Sequence, residues 1–304
     1  MTKKKQQQQI QQNQQNQQPK NEIPHLSFSQ IGLYLSCPLA YYFRYKEGLK
    51  IRPDSALFLG STFHKTVEKN YRQKIETKKD LKEKDITDIF SQEFSSGKKQ
   101  VIWSKDEKPG KIKDYGINIV KTYHTQMSPS IQPAHVELEC DIVFDDIIEQ
   151  NEKGEPISSK PYPFTYRAVM DLVDDKETVI DHKVIKNGKS PISVATDLQL
   201  TSYSLAYRQI FGKPESKLRF DCIIKNKTPK IISYQTTRTD KEIQGLLLLM
   251  ANVYDQIKNG IFYPNPKNVY CSYKKCGYWD LCRKKWWGGT ILSKDILVKD
   301  EQET

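Results

Sequence analysis

Asp171, Asp181 and Lys183 are charged residues in places where charge is costly. Asp171 interrupts the apolar run AVMDLV, and Asp181 and Lys183 are two residues apart in TVIDHKVI. Side chains two apart on a strand leave the same face. Carboxylates among valine and isoleucine are strongly disfavoured unless a cation or hydrogen bonds compensate. A hard divalent cation such as Mg²⁺ or Mn²⁺ suits oxygen ligands. A lysine beside it could orient or deprotonate an attacking water and steady the charge growing on a phosphate. The same residues also read as a surface ion pair on an edge strand. Register bears on the choice. The two runs flank the turn-prone Asp174-Asp175-Lys176-Glu177. In a hairpin, the two aspartates share a face only if the loop is odd in length or bulged. A four-residue loop with regular pairing sets them on opposite faces.

The second group with chemical potential is made of thiols. Cysteines occur at 37, 140, 222, 271, 276 and 282, and the last three crowd into YCSYKKCGYWDLC. Such crowding in a chain expected to stay inside a cell points to a metal. Three thiolates call for a fourth, and Cys37, just ahead of Pro38, is the natural candidate. Zinc fits four thiolates. A metal there would close a loop of more than 200 residues and draw the two ends together. Cys140 and Cys222 sit in strand-like runs and read as buried apolar cysteines. Just beyond lie Arg283, Lys284, Lys285, Trp286 and Trp287. Basic residues beside aromatic ones suit a DNA strand, through phosphate contacts and base stacking. Alternatively the tryptophans pack beneath the cluster and the lysines face solvent.

The elements that must position these groups follow from pattern. Ser27 with Gln30 makes a capping box for a helix through Ile31, Tyr34 and Leu35, closed at Cys37-Pro38. A second helix follows through Tyr41, Phe43 and Tyr45, a third over Gly60 to about Ile75, and residues 77–130 read as helical and charged. HVELECDIVF alternates like a strand, with a polar loop expected from Glu149 to Pro161. The two aspartate strands come next, then a helix from Val194 to Phe211 stopped by Gly212. Strands at LRFDCIIK and PKIISYQT and a helix from Asp240 to Asn259 complete an α/β core, a mixed sheet with helices on both faces.

The whole chain has 304 residues, a formal net charge of +11 and 28% charged residues. That surplus of positive charge favours encounter with polyanions. No apolar run is long enough to span a membrane, and the MTKKKQQQQI start lacks a secretory core, so an intracellular protein is expected. Residues 1–22 are a Gln/Asn tract expected to be disordered; Lys3, Lys4 and Lys5 there read as a solvated tail or a DNA-tethering patch. The division expected is a tail over 1–22, a helical region over 23–130 carrying Cys37 and His64, a core over 131–262, a cysteine-cluster region over 263–289 and a fraying tail over 290–304.

Five motifs in order, GSTFH, an acidic strand, AVMD, VIDHK and QLTSY, resemble the PD-(D/E)XK nuclease superfamily and within it the RecB-like branch. The resemblance implies a restriction-endonuclease-like core. It implies that His64, Asp171 and Asp181 hold Mg²⁺ or Mn²⁺, and that Asp171, Asp181, Lys183, Gln199 and Tyr203 are catalytic. Ala168 stands where many relatives have glycine. His64 and Glu68 lie four apart on a helix, so Glu68 could set the imidazole tautomer. Glu137 and Glu139 share a strand face, and Glu137 is the preferred accessory acid. One distant cysteine with three clustered ones resembles the iron–sulfur subgroup of that branch, which includes AddB-type and CRISPR-adaptation nucleases. This implies a [4Fe–4S] cluster on Cys37, Cys271, Cys276 and Cys282, with zinc as the alternative. The four-residue gap after Cys271 is longer than the two common in relatives. The activity implied is a Mg/Mn-dependent deoxyribonuclease, an exonuclease on single-stranded or end-containing DNA in repair, recombination or mobile-element processing. A non-catalytic DNA-binding scaffold and a CRISPR-adaptation nuclease trimming spacer precursors are the alternatives. No GxxxxGK[ST] motif is present, so unwinding would need a helicase partner.

Overall fold

The computed structural model describes residues 25–151, 156–226, 228–288 and 297–299. The expectations for residues 1–22 lie outside the described residues, as do most of those for 290–304. Helix α1 (Phe28–Ser36) starts at the predicted capping box, with Ser27 Oγ receiving the Gln30 amide and Gln30 returning the contact. Cys37 is extended, and Pro38 at the first helical position opens α2 (Pro38–Tyr41), which runs on through a π turn to Lys46. Asp54 caps α3 (Ser55–Thr77), longer at both ends than the predicted helix. Helices α4 (Glu83–Gly97) and α5 (Pro109–Gln126) follow.

Two short strands, β1 (Leu26–Ser27) and β2 (Leu49–Ile51), accompany the first helices. Strands β3 (Pro133–Gln150) and β4 (Pro156–Asp174) form a long hairpin. Within the polar loop expected over 149–161, residues 149–150 and 156–161 are strand, because backbone pairing in a hairpin arm needs no buried face. Strand β5 (Thr178–Ile185) leads to α6 (Pro191–Ala195) and α7 (Leu198–Phe211). The single helix expected from Val194 is thus broken, since Asp197 turns out to cap α7 with its carboxylate on the Gln199 and Leu200 amides. Strands β6 (Lys217–Ile224) and β7 (Lys230–Thr236) and helices α8 (Asp240–Lys258) and α9 (Trp279–Trp287) complete the core. Strand β8 (Leu297–Lys299) pairs with β2, so these three residues depart from the expected fraying.

The sheet is mixed, as predicted. Strand β4 is antiparallel to β3 and β5, β5 is parallel to β6, and β6 is antiparallel to β7. Strands β4 and β5 pair only at Leu172–Ile180 and Val173–Val179, and further along β4 its edge is taken by β1 at Tyr166 and Arg167. The sheet therefore forks beside Asp171. One face packs on α1, α7 and α8 through Tyr166, Met170, Tyr203 and Met250; the other packs on α3, α4 and α5 through Leu172, Ile180, Phe63 and Phe90. Leu138 and Met170 face the first core, whereas Val136 and Leu172, two residues away in each strand, face the second. Both strands thus change sides at Glu137 and Asp171. At this point of β3, Glu137 adopts a left-handed φ of +49°. Among the described residues no helix is long and apolar enough to cross a membrane.

Candidate active site

The turn between β4 and β5 settles the register question. Asp174 Oδ1 accepts the amides of Lys176 and Thr178, and Glu177 is left-handed at φ +63°. Residues 174–178 separate the paired Val173 and Val179, an odd number, so Asp171 falls opposite Asp181. The four-residue loop that would have set them apart does not occur.

Around this pair the predicted residues converge. His64, on α3, brings Nδ1 to 3.1 Å from Asp171 Oδ2. The same oxygen accepts the His182 amide at 3.3 Å, filling the fork where strand pairing stops. From the other layer, Tyr203 on α7 places its hydroxyl 3.3 Å from Asp171 Oδ1 and 3.2 Å from Asp181 Oδ1. Lys183 Nζ donates to Asp181 Oδ1 at 3.0 Å and to Gln199 Oε1 at 2.8 Å, and Gln199 donates to the Tyr203 hydroxyl at 3.1 Å. Gln199 and Tyr203 reach one site because they lie four apart on a helix.

The electrostatics sort the groups by role. Burial alone would raise the Asp171 carboxyl, but the His64 hydrogen bond and charge hold it below the usual carboxylate range. Asp181 moves the other way, raised by burial and then by Asp171. Burial opposes protonation of His64, and the Asp171 contact overcomes it. For Lys183, burial is outweighed by Asp181, so the ammonium keeps its proton. In this arrangement the Lys183 ammonium is directed at Asp181 and Gln199. Tyr203 is held well above its usual value by burial and the two carboxylates, so it remains a hydrogen donor.

Glu137 faces Asp171 from β3, and its carboxyl is pushed up to about 7 by burial, then by Asp171 and Glu68. Glu68 does not take the expected place beside His64. Its carboxylate receives Arg72 at 2.7 Å, because the imidazole has turned its Nδ1 to Asp171. Glu139 is exposed and paired with Arg167.

Two observations favour a hard divalent cation here. Asp181 is fully buried beside Asp171, with the single Lys183 ammonium, 2.8 Å from Oδ2, against two carboxylates. The donors are oxygen and imidazole, a set suited to Mg²⁺ or Mn²⁺. Among the described residues no three His, Cys, Asp or Glu side chains already converge as a coordination shell, so ligation would draw them closer.

The family model of the PD-(D/E)XK nuclease superfamily matches residues 25–283. The chain belongs to that superfamily. In fold, this nuclease is similar to the crystal structure of a candidate exonuclease from Eubacterium rectale, with a TM-score of 0.55 and 14% identity over 90% of this chain and 91% of that one. No curated protein matches it.

The four predicted cysteines of the nuclease border one cavity without converging as a coordination shell. Cys37, Cys271, Cys276 and Cys282 line one cavity of about 240 Å³, whose walls include Leu39, Phe43 and Tyr278. All four are free thiols and only half-buried. Burial raises the thiols of Cys271, Cys276 and Cys282, and Cys37 raises each further. Cys222 is buried in the first core, as expected; Cys140 packs against the same core but is only half-buried. On α9, Trp286 and Trp287 are half-exposed, and the Trp287 side chain meets Cys282. Lys285 lies 4.3 Å over the Tyr42 ring and 3.3 Å from Glu47, and Arg283 sits over Trp279 and Trp287. Lys284 is exposed.

The sequence reading passed over His182, Tyr123 and Tyr71. His182 points to the opposite face from its neighbours, and its Nε2 meets Tyr123 Oη at 2.6 Å, which in turn meets Tyr71 Oη at 2.7 Å. Burial lowers this imidazole to about 4, so it is neutral. Strand alternation places His182 opposite the aspartates; nothing local shows its two tyrosine partners.

Proposed function

We propose that this nuclease is a divalent-metal-dependent deoxyribonuclease acting on DNA ends or single strands. The observation that carries the reading is the convergence of Asp171, Asp181 and Lys183 at the sheet fork, where His64 and Tyr203 also meet the carboxylates. His64, Asp171 and Asp181 would hold Mg²⁺ or Mn²⁺, which when bound lowers the pKa of water and offsets phosphate charge. Lys183 keeps its proton and presents its ammonium to the oxygen that gains charge as the phosphodiester opens. Gln199 fixes the direction of that ammonium. Tyr203 donates to the carboxylates and holds them in a single arrangement. Glu137, lifted to about 7, is suited to take up a proton near neutral pH. Arg283, Lys284, Lys285 and Trp286 supply a basic and aromatic surface for the strand. An end-acting, exonucleolytic mode is supported by the likeness to the Eubacterium rectale protein, and a single-strand preference by the aromatic surface.

We further infer that Cys37, Cys271, Cys276 and Cys282 hold a [4Fe–4S] cluster. The support is that all four thiols line one cavity; zinc on the same four thiolates is the alternative. The test of the main reading is cleavage of end-labelled single-stranded and duplex DNA with Mn²⁺ or Mg²⁺. The wild type should cut, and chelator or Asp181→Ala should stop it. A wild type that binds DNA but cuts none of these forms would establish the scaffold reading in its place.

A further inference from the structure

Arg238, between β7 and α8, is 5% exposed and buries its guanidinium under the junction of α6 and α7. Its Nε donates to Thr201 Oγ1 at 2.8 Å. One Nη donates to Thr236 Oγ1 and Thr237 O at 2.9 and 2.8 Å; the other donates to Val194 O and Asp197 O at 3.0 and 3.1 Å. All five acceptors are neutral. Packing alone would be served as well by an apolar side chain, since a buried charge carries a desolvation penalty. What Arg238 alone supplies is a five-pronged tie between the end of β7, the last turn of α6, and the cap and first turn of α7. Gln199 lies between two of the tied residues, Asp197 and Thr201, and its Oε1 accepts Lys183 Nζ at 2.8 Å. From the far side, Arg208 near the end of α7 donates to the Arg238 carbonyl at 2.6 Å.

We propose that Arg238 is a positioning residue for cleavage: it fixes the start of α7 so that Gln199 holds the Lys183 ammonium toward the scissile phosphate. This rests on the reading of Lys183 and Gln199 as working groups. A lysine keeps the charge but has one nitrogen, and cannot reach acceptors spread over three elements.

The experiment compares Arg238→Lys, Gln199→Ala and the double variant in the full chain. It measures kcat and KM on end-labelled DNA, and separately the labelling of the Lys183 amine by a limiting acylating reagent, read by mass spectrometry. Arg238→Lys should lower kcat about 10- to 100-fold, as loss of an orienting partner does, with KM little changed. It should raise Lys183 labelling to the level of Gln199→Ala. In the Gln199→Ala background it should add less than about two-fold. If the two losses multiply, or if Lys183 labelling is unchanged, Arg238 is a structural residue only and the proposal is overturned. Should Arg238→Lys not fold, Thr201→Val removes one prong and is judged by the same readouts. If the wild type cuts no DNA, the deoxyribonuclease reading fails, while the labelling still decides what Arg238 does.

Discussion

Two titrating groups give the site its measurable signature. The folded chain keeps a proton on Glu137 up to about 7, whereas the unfolded chain releases it near 4.5. Between those values the native state binds more protons, so stability falls as pH rises. Without divalent ion, the urea midpoint should drop between about pH 5 and about pH 7.5, and drop less in Glu137→Gln. An equal drop in both proteins would show that Glu137 does not carry the effect. Asp181 is raised in the same direction by burial and Asp171, so the drop should shrink in Glu137→Gln without vanishing. Lys183 is the complementary case, a cation kept charged against burial by Asp181. Lys183→Ala should lower kcat on the order of 10²- to 10³-fold, as loss of one preorganised donor does. Lys183→Arg should not restore it, because the planar fork cannot occupy the position of one ammonium between Asp181 and Gln199.

At the scale of elements, the packing of the helical layer is testable at one glycine. A Cβ on Gly116 of α5 would sit 2.2 Å from Phe90 Cζ and 2.9 Å from Leu59 Cδ1, both buried. Gly116→Ala should therefore destabilise by about 1–3 kcal/mol despite the better helix propensity of alanine. A neutral or stabilising value in urea unfolding would mean that α4 and α5 pack less tightly than described. The elements themselves were largely legible. The capping box at Ser27 and Gln30, the stop at Gly212 and the start of α8 at Asp240 all fall where local chemistry puts them. The break at Asp197 escapes the sequence pattern because an aspartate inside an apolar-periodic stretch reads as a helix surface until its carboxylate is seen on the amides two and three residues ahead. The strand residues at 149–150 and 156–161 escape the sequence pattern because polarity says loop where only pairing with a partner strand says otherwise.

For the whole molecule, the cysteine site joins residues more than 200 positions apart. If it binds metal, Cys37→Ala should lose iron and its visible absorbance in anaerobic protein. It should also lose stability on the order of 5 kcal/mol, the closure entropy of so long a loop. Zinc in colourless protein would assign the cavity to that ion instead. The site residues were legible one by one, because a carboxylate in an apolar strand, a Gln and Tyr four apart and a crowd of thiols each violate ordinary burial statistics. Their convergence was implied only by the family resemblance and not by local pattern, since it depends on contacts between segments far apart in the chain. The odd turn after Val173, the left-handed Glu137, the side taken by His64 and the tie from Arg238 arise only when strands and helices meet. By itself the sequence determined which residue types are present, their local periodicity and the family they mark. Tertiary structure decided which face each strand turns to each helix layer, because register and long-range packing are properties of pairs of segments and not of either one alone.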